Sequence, residues 1–209
     1  MEFRGWPPAA LTWFDELEAD NTKAWFHAHR ETYDEAVRGP MEDLVDDLTP
    51  EFGEMVVSRP NRDIRFSKDK APYKLEIYAR TRRPDGTGLY VRLSRAGLFA
   101  GGGLYMPDRD RLARVRAAIA DDRTGAELER VVAGLRADGL ELLSDGGLKT
   151  APKGYTVDHP RIELLRLPHL AAGAELPIRK WLHTPAAETR LVTVLRATSP
   201  LLDWLARTT

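Results

Sequence analysis

The chain has 209 residues and no cysteine, and its 31 basic and 32 acidic side chains leave a formal net charge of −1. That length suits one domain spanning 1–209 with a sizeable core, and 43% hydrophobic with 30% charged residues is the balance of an ordinary soluble protein. No apolar run approaches the roughly 18–20 residues of a membrane span; Met1 to Pro8 lack the pattern of a signal peptide; and without cysteine there is no disulfide, thiolate catalysis or thiolate zinc site. The expectation is a cytoplasmic protein with no membrane partner.

The charges are unevenly placed along the chain. Residues 1–58 hold 4 basic and 14 acidic groups, residues 59–95 hold 11 and 4, and residues 96–209 hold 16 and 14, giving −10, +7 and +2. Such asymmetry points to an anionic partner for the middle block, or to one part of the chain neutralising another.

Residues 1–53 read as helical. Leu11, Phe14 and Leu17 recur at helical spacing, as do Phe26, Tyr33 and Val37, with Asp20-Asn21-Thr22 supplying caps between them. Gly39-Pro40 is expected to end the second helix, and a short third one through Leu44, Val45 and Leu48 to stop at Thr49-Pro50. Residues 54–106 read mainly as strands, because the period changes to two. Ile64 and Phe66, then Leu75, Ile77 and Ala79, then Leu89, Val91 and Leu93 alternate with polar residues. Pro84-Asp85-Gly86-Thr87-Gly88 and Ala96-Gly97 are turns, and Leu98 to Met106 is a further strand. Short turns between successive strands imply an antiparallel meander with one polar, basic face. Residues 107–209 read as mainly helical. Asp108 caps one amphipathic helix; Thr124 with Glu127 fits a capping box for a second, closed by Gly139; residues 144–160 are loop; Pro160–Leu167 is a short helix; and Leu191–Leu205 is helical. The fold class is therefore α+β: an antiparallel meander of about four or more strands packed against N-terminal and C-terminal helices.

Residues 59–74 carry most of the functional signal. Arg62, Asp63 and Arg65 lie on a predicted strand that runs into a loop with Ser67, Lys68, Asp69, Lys70, Tyr73 and Lys74. Five cations within about a dozen residues repel one another, so anionic partners or solvent must compensate them. Three of the seven lysines fall at 68–74 although arginine outnumbers lysine 24 to 7, which marks a place where a compact ammonium is wanted. The reading is a ligand site for phosphate or carboxylate. Arg62 and Arg65 are bidentate binders there, joined by Asp63, Ser67, Lys74 and two loop lysines, Lys149 and Lys153. Lys68, Asp69, Lys70 and Tyr73 are the candidates for proton transfer. The alternative is a solvated basic face paired with the acidic helices.

The stretch RDIRFSKDKAPYK over residues 62–74 resembles the signature of an uncharacterised bacterial and fungal family, domain of unknown function 2461. The resemblance extends to Trp25-Phe26 with Tyr33, to Gly101-Gly102-Gly103-Leu104-Tyr105-Met106-Pro107, to Leu148 through Tyr155, and to Asp158-His159-Pro160 with Glu163-Leu164-Leu165. It implies no particular activity, substrate or cofactor.

The remaining motifs narrow the chemistry. Gly101-Gly102-Gly103 precedes a helix, but no phosphate-loop or dinucleotide fingerprint is present, so close backbone approach is the expected role. The five histidines show no metal-ligand spacing, and no cofactor or metal is expected. His159 is the one histidine kept as an acid–base candidate, against a capping role. Trp13, Trp25, Phe26 and Tyr33 form an aromatic stripe expected in the core. Binding of, or action on, a small anionic molecule ranks first. A nucleic-acid module ranks second, opposed by a pI of about 6.5 and the acidic first block. A structural protein held by internal charge pairing is third.

Overall fold

The computed structural model describes residues 2–209 apart from 82, 84 and 85. It is α+β, with helices flanking a six-stranded antiparallel open sheet. The strands are β1 (Met55–Val57), β2 (Glu76–Thr81), β3 (Thr87–Ser94), β4 (Gly97–Leu104), β5 (Glu141–Leu142) and β6 (Leu170–Leu176), in the order β1-β2-β3-β4-β6-β5. Strands β2, β3 and β4 form the expected meander, and β1, which was not expected, adds to its edge. Two compact units divide the chain: Met1–Thr81, Tyr90–Ala100 and Glu175–Thr193 form the first, and Arg82–Leu89, Gly101–Ala174 and Val194–Thr209 the second.

In the first unit, helix α1 (Pro8–Ala19) starts on a proline, where no backbone donor is needed, and buries Ala10, Trp13, Phe14 and Leu17. The Thr22 hydroxyl accepts the Trp25 N–H and so caps α2 (Lys23–Ala28). The expected break at Gly39-Pro40 does not occur. A short α3 (Arg30–Thr32) passes into a π-wound turn, Tyr33–Arg38, and directly into α4 (Gly39–Phe52). Pro40 has no N–H for the carbonyl four residues back; the wider π winding, in which Gly39 N–H reaches Asp34 O, accommodates that loss. Pro50 likewise lies inside α4, which ends only at Gly53, φ 83°.

Three residues of the aromatic stripe lie in the core, whereas Trp25 is half-buried and stacks on His29 with centroids 4.1 Å apart. Trp13, Phe26 and Tyr33 are each 2% exposed, and the Trp13 ring centroid lies 5.0 Å from Tyr33 and 5.8 Å from Phe26. The meander shows the alternation its sequence carries. Ile77 pairs with Leu93 and Ala79 with Val91 on the buried face, while Tyr78 and Arg92 pair on the other. The strand expected through Ile64 and Phe66 is absent. Residues 58–75 hold one isolated antiparallel bridge, Asn61 to Tyr73, and Phe66 is 96% exposed. Alternation forms a strand only when one face has something to pack against, and here charged side chains bind one another locally. A 3₁₀ turn (Lys180–His183) and α8 (Ala186–Ala197) follow β6.

In the second unit, Asp108 caps α5 (Arg109–Ala120) by accepting the Arg111 N–H, as expected. Helix α6 (Asp122–Ala137) is capped by Asp121, not by Thr124. The Asp121 carboxylate accepts the N–H groups of Arg123 and Thr124 and the Thr124 hydroxyl. Gly139, φ 79°, closes that helix. A four-residue α7 (Ile162–Leu165) and α9 (Ser199–Thr208) complete the unit. Trp204 of α9 is fully buried and donates its indole N–H to Thr124 O at 2.9 Å. The glycines of β4 permit close approach, as expected: a Cβ on Gly103 (φ 144°) would stand 2.4 Å from Ala171 Cα, and one on Gly102 would stand 2.7 Å from Thr198 Oγ1. Strand β6 escaped the sequence reading because Leu170, Ala171, Ala172 and Gly173 are buried in succession, leaving no alternation to read. In the expected turn at 84–88, Pro84 and Asp85 lie outside the described residues. No described helix is long and apolar enough to cross a membrane.

Candidate functional site

The signature segment folds back on itself. Arg62 N–H donates to Pro72 O at 2.8 Å and Lys74 N–H to Pro60 O at 2.9 Å, flanking the Asn61–Tyr73 bridge, so the chain leaves and returns at one place with a loop between. Tyr73 fixes this base to the helical layer. Its N–H and C=O are both taken by the side chain of Asn21, at 3.1 and 3.0 Å, and its ring stacks on Phe26 with centroids 4.0 Å apart and planes 13° off parallel. At 4% exposure, Tyr73 is an anchor of the loop. Asn21, read from the sequence only as a capping residue, makes this attachment across 52 positions, a separation that no local pattern signals.

Within the loop the charges engage each other. Arg62 Nη1 donates to Asp69 Oδ2 at 2.5 Å and to Ala71 O at 3.3 Å. Arg65 grips Asp63 with two bonds, Nε to Oδ1 at 2.9 Å and Nη2 to Oδ2 at 2.6 Å, so the bidentate capacity foreseen for a ligand holds a carboxylate of the chain itself. Both aspartates are consequently held below the usual carboxylate range: Asp63 chiefly by the Arg65 side chain, and Asp69 chiefly by the Ala71 N–H and then by Arg62. Lys70 Nζ donates to Ile64 O at 3.0 Å, and the Ser67 N–H reaches the same carbonyl. Lys68 is exposed and has no partner among the described residues.

Lys74 is placed differently. Its Nζ donates to Arg59 O at 2.5 Å and Asn61 O at 2.8 Å, and it stands 5.6 Å from the Tyr78 ring centroid. Partial burial pushes its pKa below the usual lysine value; the charge of Arg59 adds to that and Glu76 opposes it. An ammonium has three protons, so one remains for a ligand. Arg62 keeps Nε and Nη2, which no hydrogen bond among the described residues uses.

Arg62 and Lys74 line one groove of about 480 Å³ together with Glu18, Asn21, Asp69, Ala71, Tyr73, Leu75 and Glu76. Of the expected site residues, the structure brings Arg62, Asp69, Tyr73 and Lys74 together there; Asp63, Arg65, Ser67, Lys68 and Lys70 are not in its lining. Glu18 and Glu76 were not foreseen, because each lies in an element that reads as ordinary amphipathic structure. Lys149 and Lys153 belong to the second unit, where both are exposed. His159 is engaged locally: its Nδ1 accepts the Arg161 N–H at 3.0 Å, just ahead of α7. No group of three or more His, Asp or Glu among the described residues can hold a metal ion.

Comparison with known proteins identifies one family. The model described as "Conserved hypothetical protein (DUF2461)" matches residues 9–204, nearly the whole chain. No curated protein and no solved structure matches.

Proposed function

We propose that this chain, which belongs to the DUF2461 family, binds a small molecule through a phosphate or carboxylate group in the groove bordered by Arg62 and Lys74. The observation that carries the reading is that these two cations line one concave surface and both retain donors unused among the described residues. A guanidinium beside a partly buried ammonium is a strong anion acceptor, since charge-assisted bonds are shorter and stronger than neutral ones. The volume of about 480 Å³ suits a metabolite-sized ligand. Tyr73, stacked on Phe26 and held by Asn21, gives the groove a fixed floor. A cytoplasmic location belongs to the same proposal, and cell fractionation tests it.

A thermal-shift screen against phosphorylated and carboxylated metabolites, followed by calorimetry on the hits, tests this function. Arg62→Ala and Lys74→Ala should each weaken a hit by roughly 10- to 100-fold, the scale of one lost charge-assisted contact. Lys68→Ala should leave it unchanged. Equal weakening by Lys68→Ala, or no effect of Arg62→Ala, refutes the assignment.

A second reading draws on a specific observation: Arg62 with Asp69, Arg65 with Asp63, and Arg95 with Asp15 are internal pairs. In that reading the middle block serves structure only. It requires that no metabolite shift the melting temperature and that Arg62→Ala lower stability. Exposed pairs contribute at most ~1 kcal/mol each, so a strong ligand effect separates the two readings cleanly.

A further inference from the structure

The groove carries more negative than positive groups, and its cations are the better satisfied of the two. Its lining contributes Arg62 and Lys74 against Glu18, Asp69 and Glu76. Asp69 is engaged by Arg62 and by the Ala71 N–H, and two of the three Lys74 protons go to backbone carbonyls. Glu18, on α1, makes no hydrogen bond or ion pair with any described residue. Glu76, which opens β2, stands 3.8 Å from an Arg92 that is closer to Glu175, and otherwise interacts among the described residues only through its charge with the Lys74 ammonium. A ligand that is only an anion would meet the spare donors of Arg62 and Lys74 but would also bring its charge beside the carboxylates of Glu18, which is exposed, and Glu76.

Resting on the anion reading of this groove, we infer that its ligand is a dipolar ion: a small molecule whose phosphate or carboxylate meets Arg62 and Lys74, and whose ammonium meets Glu18 and Glu76. Amino acids and aminoalkyl phosphates are the chemical class. Electrostatic complementarity of this kind provides selectivity, because either half-ligand leaves one set of groove charges uncompensated.

Calorimetry on the full chain with matched probes tests the inference. One set is phosphoethanolamine, ethyl phosphate and ethanolamine; the other is β-alanine and propionate. At least one dipolar probe should bind about tenfold or more tightly than its amine-free partner, a difference readily resolved as free energy. The double variant Glu18→Gln, Glu76→Gln should bring the two to parity while leaving the amine-free anion bound as tightly as before or more so. Arg62→Gln should weaken both. If the amine-free anions bind as well as the dipolar probes, the dipolar inference falls and the anion reading stands. If only ethanolamine binds, or no probe binds, both fall. A circular dichroism spectrum of the glutamine double variant identical to wild type confirms that any lost preference reflects charge and not unfolding.

Discussion

Tyr33 lies 2% exposed beside Trp13 and Phe26, and burial pushes its hydroxyl from 10.0 up to about 12, with Asp34 and Glu42 adding to the shift and Arg38 and Arg30 opposing it. A phenol whose folded pKa is raised holds its proton more tightly in the native state. Its contribution is therefore complete below pH 10 and is lost as pH rises from 10 towards 12. At about 1.4 kcal/mol per unit, the loss by about pH 11.5 is roughly 2 kcal/mol. Urea unfolding of wild type and Tyr33→Phe at about pH 9 and about pH 11.5 should show the variant losing about 2 kcal/mol less over that interval. Equal losses would refute the assignment of alkaline sensitivity to this hydroxyl. That Tyr33 belongs to the core was legible, because Phe26, Tyr33 and Val37 keep a helical period. The role of Tyr73 was not: among lysines and aspartates it reads as a reactive hydroxyl, and only the stacked Phe26 ring and the bridging Asn21, 52 positions away, make it an anchor.

At the scale of elements, helix α6 depends on a cap one turn before the capping box expected from its sequence. Thr124 with Glu127 satisfies the capping-box spacing, but the helix starts three residues earlier, behind Asp121. The chain uses Asp121, which takes two backbone N–H groups, while the Thr124 hydroxyl donates to Asp121 and to Ala118 O at 2.6 Å. Asp121→Ala removes the acceptor for both N–H groups and should lower the melting temperature by roughly 2–6 °C, whereas Asp121→Asn, which can still accept, should lower it less. Thermal unfolding followed at 222 nm checks the order; a larger loss from Asp121→Asn would contradict it. The meander was legible for a related reason: β2 and β3 each bury one face, so Ile77, Ala79, Leu89, Val91 and Leu93 keep period two. The pattern gave no warning at Pro40 or at β6. A proline signals a lost hydrogen bond but not that a π turn can absorb it, and a strand buried on both faces carries no alternation.

At the scale of the whole molecule, the net charge of −1 conceals an excess of basic groups in the middle block, and the structure shows how much of that excess is already engaged. Arg62 and Arg65 hold aspartates of their own loop, Arg92 contacts Glu76 and Glu175, and Arg95 reaches Asp15. The sequence located the basic segment and the family resemblance marked the same residues, but neither shows which carboxylate each arginine meets, since those partners lie from 2 to 83 positions away. Pairing of this extent bears directly on the nucleic-acid reading. A strand-binding surface with five available cations would release counterions on binding and give a log–log salt slope of about −3.5 on single strands. With Arg62, Arg65, Arg92 and Arg95 paired internally, the slope should stay shallower than about −1.5 and binding should be weaker than ~0.1 mM near physiological salt. Fluorescence anisotropy with a labelled single-stranded oligonucleotide, titrated at several salt concentrations, measures both quantities. A steep slope with tight binding would mean that the Arg62–Asp69 and Arg65–Asp63 pairs open for phosphate, returning the basic segment to a polyanion. A shallow one leaves Arg62 and Lys74 as receptors for a single small group.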